Sequence, residues 1–281
     1  MRGESASGAG PSARERNRRI VTDFYTLAFI RLEHEAAAAA HLTRDYIQHN
    51  PFVPDGRDGF VQFFKDFDLA REPGYEHRIL RTVADEDLVA VHCLMKSSRS
   101  PFGVALVDIF HVTAEGLIDE HWDVFKELAD PATLPHANGE IDDIVRVRPG
   151  DANLNRWALV DFWTMAFVQK RYAAAAAKHF GDRYVQHNSF VADAVEGFTC
   201  HFEGSSGHRQ ETYCQIPLRF IVDEEYGAVH EWLRPDVTDT ADRGVMIVDI
   251  FRFDRGKIVE HWDVFTPRWA PADSANARGM I

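Results

Sequence analysis

The chain has 281 residues and carries 31 Lys and Arg against 44 Asp and Glu, a formal net charge of -13. That length accommodates two domains of ordinary size. An acidic balance without a long basic run excludes a nucleic-acid or anionic-membrane surface as partner, so a small molecule is the expected ligand.

In chain order, residues 1–14 are rich in Gly, Ser, Ala and Arg and read as a disordered leader without the apolar centre of a secretory signal. No apolar run reaches the roughly 18 residues that a bilayer requires. Ile20, Val21, Phe24, Leu27, Ala28 and Ile30 recur at helical spacing, and the alanine run 36–40 extends that helix. The string Tyr46-Ile-Gln48-His49-Asn50 is a short strand stopped by Pro51, and turn residues 55–59 lead into a helix that sets Phe60, Phe63, Phe64 and Phe67 on one side. Four strands follow, at 76–84, 88–97, 104–112 and 117–125. Residues 129–153, with their Pro, Asp, Asn and Gly, read as a linker.

After the linker the order begins again. Tyr184-Val-Gln186-His187-Asn188 repeats the first string, Phe24 matches Phe162, and VDIF…EHWDVF occurs from Val107 and again from Val248. Two tandem domains are predicted, 15–128 and 154–270, followed by a tail, 271–281. Helices first and an antiparallel sheet afterwards make each an α+β domain. Cys93, Cys200 and Cys214 are odd in number and lack metal-ligand spacing, so they read as reduced thiols of a cytoplasmic protein.

The repeated hairpin carries the chemistry. A loop over Thr113–Gly116 sets Asp108 opposite His121, and a loop over Asp254–Gly256 sets Asp249 opposite His261. Residues two apart on a strand share a face, so Asp108, His121 and Asp123 converge, as do Asp249, His261 and Asp263. Leu106, Phe110 and Val112 make the Asp108 face apolar, where a carboxylate is costly unless it is hydrogen-bonded or employed. Two carboxylates flanking an imidazole suit acid–base work near neutral pH. The pattern leaves one alternative open: Ile118, Trp122 and Val124 make the other face of the last strand more apolar, so the His/Asp face could point to solvent as an ordinary cross-strand pair. His49 and His187 are placed at a pocket mouth or a strand end, and His92 and His230 read as core histidines. No metal site is expected, since His49, Asp108 and His121 sit far apart on the chain.

Together, the Y-I-Q-H-N-P string, the D-G-R-x-G-F helix and V-D-I-F…E-H-W-D resemble the SnoaL-like polyketide cyclases of the nuclear-transport-factor-like superfamily, over nearly all of both copies. The resemblance implies cone-shaped domains, each a curved antiparallel sheet wrapped around N-terminal helices with an apolar pocket inside. It implies an internal pseudo-dimer and a hydrophobic, oxygenated natural product as substrate, with no cofactor. The aspartate ending H-x-D is the family's general base, a role that falls on Asp123 and Asp263. Where the family has a substrate-binding histidine one strand earlier, this chain has Asp108 and Asp249; either His121 and His261 donate to the substrate oxygen, with Asp108 and Asp249 setting their tautomer and charge, or the substrate and reaction differ from aromatic polyketide closure. Tyr46, Gln48, His49, Phe110 and Trp122, with Tyr184, Gln186, His187, Phe251 and Trp262, are expected to line the pockets. The implied activity is a cyclase or aldol-type lyase or isomerase of secondary metabolism. The alternatives are a dehydratase or double-bond isomerase on the same fold, or a non-catalytic binding protein. The loops differ between copies, with Ser189, Ala194 and Val195 for Pro51, Gly56 and Arg57, and residues 204–208 for 66–70. Unequal pockets are therefore expected.

Overall fold

The computed structural model describes residues 12–204, 208, 210–276 and 278–281. Of the expected leader, residues 1–11 lie outside the described residues. Residues 12–14 begin a helix instead, because the Ser12 hydroxyl accepts from Glu15 N and caps α1, Ala13–Tyr25. The long helix expected next is broken. A π turn over Thr26–Ile30 is followed by Leu32 at φ 59°, and α2, His34–His41, starts afresh. The π turn adds a residue to the helical repeat, which lets Phe24, Tyr25 and Ala28 all bury toward the sheet.

β1 spans Leu42–Gln48 and α3 Arg57–Phe67, followed by β2 Glu76–Asp85, β3 Leu88–Ser97, β4 Ser100–Val112 and β5 Ile118–Glu127. The sheet order is β1-β5-β4-β3-β2. β1 runs parallel to β5, so the sheet is mixed rather than wholly antiparallel. No hairpin joins those two strands, and nothing in the connection forces them to oppose. The second half repeats this plan with α4 Ala152–Trp163, a π turn Thr164–Val168, α5 Tyr172–His179, β6 Phe180–Gln186 and α6 Ala194–Gly204. Then come β7 Cys214–Val222, β8 Tyr226–Arg234, β9 Val245–Asp254 and β10 Lys257–Pro267, in the order β6-β10-β9-β8-β7.

The hairpin register differs from expectation. Asp108 lies opposite Asp123, and Phe110 opposite His121; in the second half Asp249 faces Asp263 and Phe251 faces His261. Two one-residue shifts add up to this: each turn sets its first pair one residue further along, Val112 with Ile118 and Phe253 with Ile258, and a bulge just inside each hairpin supplies the second, where His111 pairs with Glu120 and Arg252 with Glu260. The second loop is also shorter than expected. Asp254 pairs with Lys257 across Arg255 (φ 52°) and Gly256 (φ 75°), the two-residue turn that needs positive φ at both places. Each bulge reverses the alternation of β5 or β10, so Ile118 packs with the helices whereas Trp122 and Val124 point the other way. Asp108, His121 and Asp123 still share the helix-covered face, and this settles the orientation that the pattern left open.

Behind that face the two sheets pack on each other. Val107, Ile109, Trp122 and Val124 of one meet Met246, Val248, Ile250, Trp262 and Val264 of the other in a single buried cluster. Arg81 stacks on Trp262 at 3.9 Å and Arg219 on Trp122 at 3.6 Å, while His187 and His49 cover the opposite faces of the same indoles at 4.8 and 5.1 Å. His92 and His230 are buried behind these arginines, at 2.6 Å from Arg81 and 3.1 Å from Arg219.

The two connecting segments cross over. The linker expected at 129–153 lies on the second domain's loop, where Asn138 donates to Gln186 O and His187 Nδ1 bonds Gly139 O. The tail lies on the first domain's loop. Ala275 N donates to Pro51 O at 2.7 Å, Asn276 Nδ2 to Asn50 O at 2.6 Å and Val53 O at 3.2 Å, and His49 Nδ1 bonds Gly279 O. Replacing Asn276 by Ala leaves two carbonyls without this donor and should cost about 1–3 kcal/mol, read as a lower denaturant midpoint.

Candidate active site

Each half holds a cavity between its helices and its sheet. The first, about 190 Å³, is walled by Phe29, Phe52, Phe60, Phe63, Phe64 and Phe67; the aromatic side of α3 thus faces the cavity. Its floor carries Tyr46, Gln48, Asn50, Asp108, Phe110, His121 and Asp123. The second cavity, about 130 Å³, has Tyr184, Gln186, Asn188, Asp249, Phe251, His261 and Asp263 in the same places.

The polar floor is a connected network. His121 Nε2 lies 2.9 Å from Asp108 Oδ1, and Nδ1 lies 2.7 Å from Gln48 Oε1. Gln48 Oε1 also accepts the backbone N–H of Asn50 at 2.8 Å, which fixes that atom as the amide oxygen and puts a hydrogen on Nδ1. Tyr25 donates to Asp108 Oδ2 at 2.8 Å and lies 3.1 Å from His77 Nε2. Burial pulls His77 down to about 4, against the opposing pull of Asp108.

Asp123 differs from Asp108 in its surroundings. Its Oδ2 accepts from Asn50 Nδ2 at 2.5 Å, while its Oδ1 is buried and has no hydrogen-bond partner among the described residues. Burial pushes its carboxyl up to about 6, helped by the Asp108 charge and opposed by His121 and the Asn50 bond. Tyr46 stands beside both carboxylates, and its hydroxyl is held by Gln48. In the second half the equivalent bond runs from Gln186 Nε2 to the Tyr184 hydroxyl oxygen at 2.9 Å, leaving the phenolic hydrogen to point elsewhere. Burial drives both phenols well above their ordinary range.

The expected site residues divide accordingly. Asp108, His121, Asp123, Tyr46, Gln48 and Phe110 come together at one cavity, and Asp249, His261, Asp263, Tyr184, Gln186 and Phe251 at the other. His49, Trp122, His187 and Trp262 do not reach the cavities. The bulge and the neighbouring sheet take them to the interdomain side, where His49 Nε2 bonds Glu120 and His187 Nε2 bonds Glu260. Nor does His121 have a ring N–H free for a substrate, because both nitrogens are engaged; His261 is held likewise by Gln186 and Asp249.

Sequence reasoning missed Tyr25, His77 and Asn50. Asn50 was in the repeated string and is retained as Asn188, a signal that the string alone did not convert into a role. Tyr25→Phe should remove the donor to Asp108 Oδ2 and cost about 1–3 kcal/mol, measurable as a drop in Tm.

The SnoaL-like domain family matches residues 21–121. Among solved structures, TsrD from Streptomyces laurentii is 19% identical, with a TM-score of 0.33 over 39% of this chain and 88% of that one. A protein assigned as a ketosteroid isomerase from Kribbella flavida is 18% identical, with a TM-score of 0.36 over 49% and 95%. A provisionally assigned polyketide cyclase from Acidithiobacillus ferrooxidans is 17% identical, with a TM-score of 0.35 over 41% and 92%. No curated protein matches. Among the described residues no helix is long and apolar enough to cross a membrane.

Proposed function

Because residues 21–121 of this chain match the SnoaL-like domain family, we propose that it is a cofactor-independent cyclase or isomerase of an apolar, ketone-bearing compound. The observation that carries the reading is the Asp123 Oδ1 atom, which is buried, lacks a hydrogen-bond partner and belongs to a carboxyl held near 6 on the floor of an aromatic cavity. Such a group takes a proton from carbon readily near neutral pH. In the cyclase form, Asp123 removes the proton α to one carbonyl, and the enolate carbon bonds to a second carbonyl of the same molecule. The resulting alkoxide recovers the proton from Asp123, so the product is an isomer of the substrate. The Tyr46 hydroxyl is the donor best placed for the enolate oxygen. His121 keeps its two bonds, to Gln48 and Asp108, and so fixes the floor beside the base. A double-bond isomerase would use the same base and return the proton to a different carbon. The face-to-face domains make the chain an internal counterpart of a two-subunit assembly.

One specific rival exists. Asp108, His121 and Asp123 each offer a ligand atom within 4.8 Å of the others, a set that suits a divalent cation as well as a shared proton. Solvent exchange tests the reading without knowledge of the substrate. Incubated in D₂O with 2-tetralone, the chain should speed deuterium uptake at the α-carbon at least about 100-fold over buffer, with EDTA treatment changing nothing. Loss of exchange on chelation and recovery on adding Zn²⁺ or Mn²⁺ would favour the metal, and a rate equal to buffer would sink the base and favour a binding protein.

A further inference from the structure

The two candidate bases occupy matching positions but not matching environments. In each, one carboxylate oxygen is held by an asparagine, Asn50 for Asp123 and Asn188 for Asp263. The other oxygen differs. Asp123 Oδ1 has no hydrogen-bond partner among the described residues, whereas Asp263 Oδ1 lies 3.5 Å from the Nζ of Lys126, a residue of the other domain. Lys126 also lies 3.0 Å from Glu140 Oε1 on the linker and over the Phe265 ring at 5.0 Å. All three ionic side chains are shielded, with 8% of Lys126, 8% of Asp263 and 4% of Glu140 exposed. Burial pulls the ammonium down, and the charges of Asp263 and Glu140 outweigh this and raise it. The arrangement has no mirror image. Lys126 stands three residues after Asp123, and three residues after Asp263 the chain has Thr266, which is buried and carries no charge.

We propose that Lys126, supplied by the first domain, occupies the proton-accepting oxygen of Asp263 and so confines base catalysis to the first pocket. The pair exists only with a carboxylate. A proton arriving at Asp263 Oδ1 would dissolve it and leave a buried ammonium facing a neutral acid, a cost that Asp123 does not meet. The second pocket departs in its lining and in the layer behind it as well. At the lining, His201 and Gln215 stand where the first pocket has Phe63 and His77; Glu231 and Trp163 stand where the first half has Cys93 and Tyr25, and Trp163 and Gln215 each donate to Glu231 at 3.0 Å. Lys126 is thus a positioning residue that makes tandem copies unequal.

This inference rests on the base reading of Asp123, and its test separates the two. In the full chain, 2-tetralone exchange should fall to the buffer rate in Asp123→Asn. Adding Lys126→Gln to that variant should restore at least tenfold over buffer, and adding Asp263→Asn as well should remove what was restored. Retention of half the wild-type rate in Asp123→Asn would overturn the proposal, as would no gain from Lys126→Gln in a folded double variant. Thermal unfolding of Lys126→Gln, Asp263→Asn and their combination reads the ion pair directly. The combined loss in Tm should be smaller than the two single losses together, and simple additivity would refute the pairing. A chain that shows this coupling but exchanges nothing overturns the base reading, and with it the division between pockets.

Discussion

Asp123→Asn should lower proton abstraction by about 100- to 10,000-fold, the usual contribution of a positioned general base, while the chain stays folded. Asparagine keeps the shape and can still meet Asn50, but it has no lone pair basic enough to take a proton from carbon. The base works when deprotonated, so the wild-type rate should rise with pH through about 6 and level off above it. Stability should move in the opposite sense. Because burial raises Asp123 above its ordinary 3.8, the folded state binds a proton more tightly than the unfolded one. Stability is then lost as pH rises from about 4 to about 6 and stays lower above that window. The variant escapes this cost, so its Tm should exceed that of wild type at pH 7, with the advantage vanishing near pH 4. A lower Tm at pH 7 would mean that the buried carboxylate stabilises the fold rather than straining it.

Trp262→Ala should cost about 3–5 kcal/mol, in the range for removing a large buried aromatic group, with chemical denaturation as the measurement. The indole is fully buried between the Arg81 guanidinium and the His187 ring, and its Nε1 donates to Asp142 O at 3.2 Å. Its removal strips one face from a buried arginine and opens the interdomain cluster. Trp122→Ala should cost less, because its Nε1 has no partner to lose among the described residues. Equal losses would show that the hydrogen bond to Asp142 contributes nothing net.

These two residues also mark where sequence reasoning stopped. The Trp and Asp of E-H-W-D are neighbours in the chain, yet one serves association of the domains and the other the candidate chemistry. The alternation of a strand separates them onto opposite faces, but which face is inward depends on the bulge at Asp119 and Val259, and a bulge has no residue signature of its own. The order of elements and the convergence of Asp108, His121 and Asp123 were legible, because strand periodicity and a repeat twice stated carry that information locally. The failure of His121 as a free donor was not legible, since it depends on Gln48, a residue 73 positions away. Lys126 is harder still. Its partner lies 137 positions on, in another domain, and no local pattern announces a contact that the packing of two sheets creates.

The crossed straps have a consequence for the order of assembly. Synthesis proceeds from the N-terminus at about 5–20 residues per second, so the first domain can collapse while the second is still being made. Its loop at Asn50–Val53, which presents Asn50 to Asp123, meets Ala275 and Asn276 only after the whole second domain has been made. The second domain's loop receives its strap from a linker already made. The half that is translated first is therefore the half completed last.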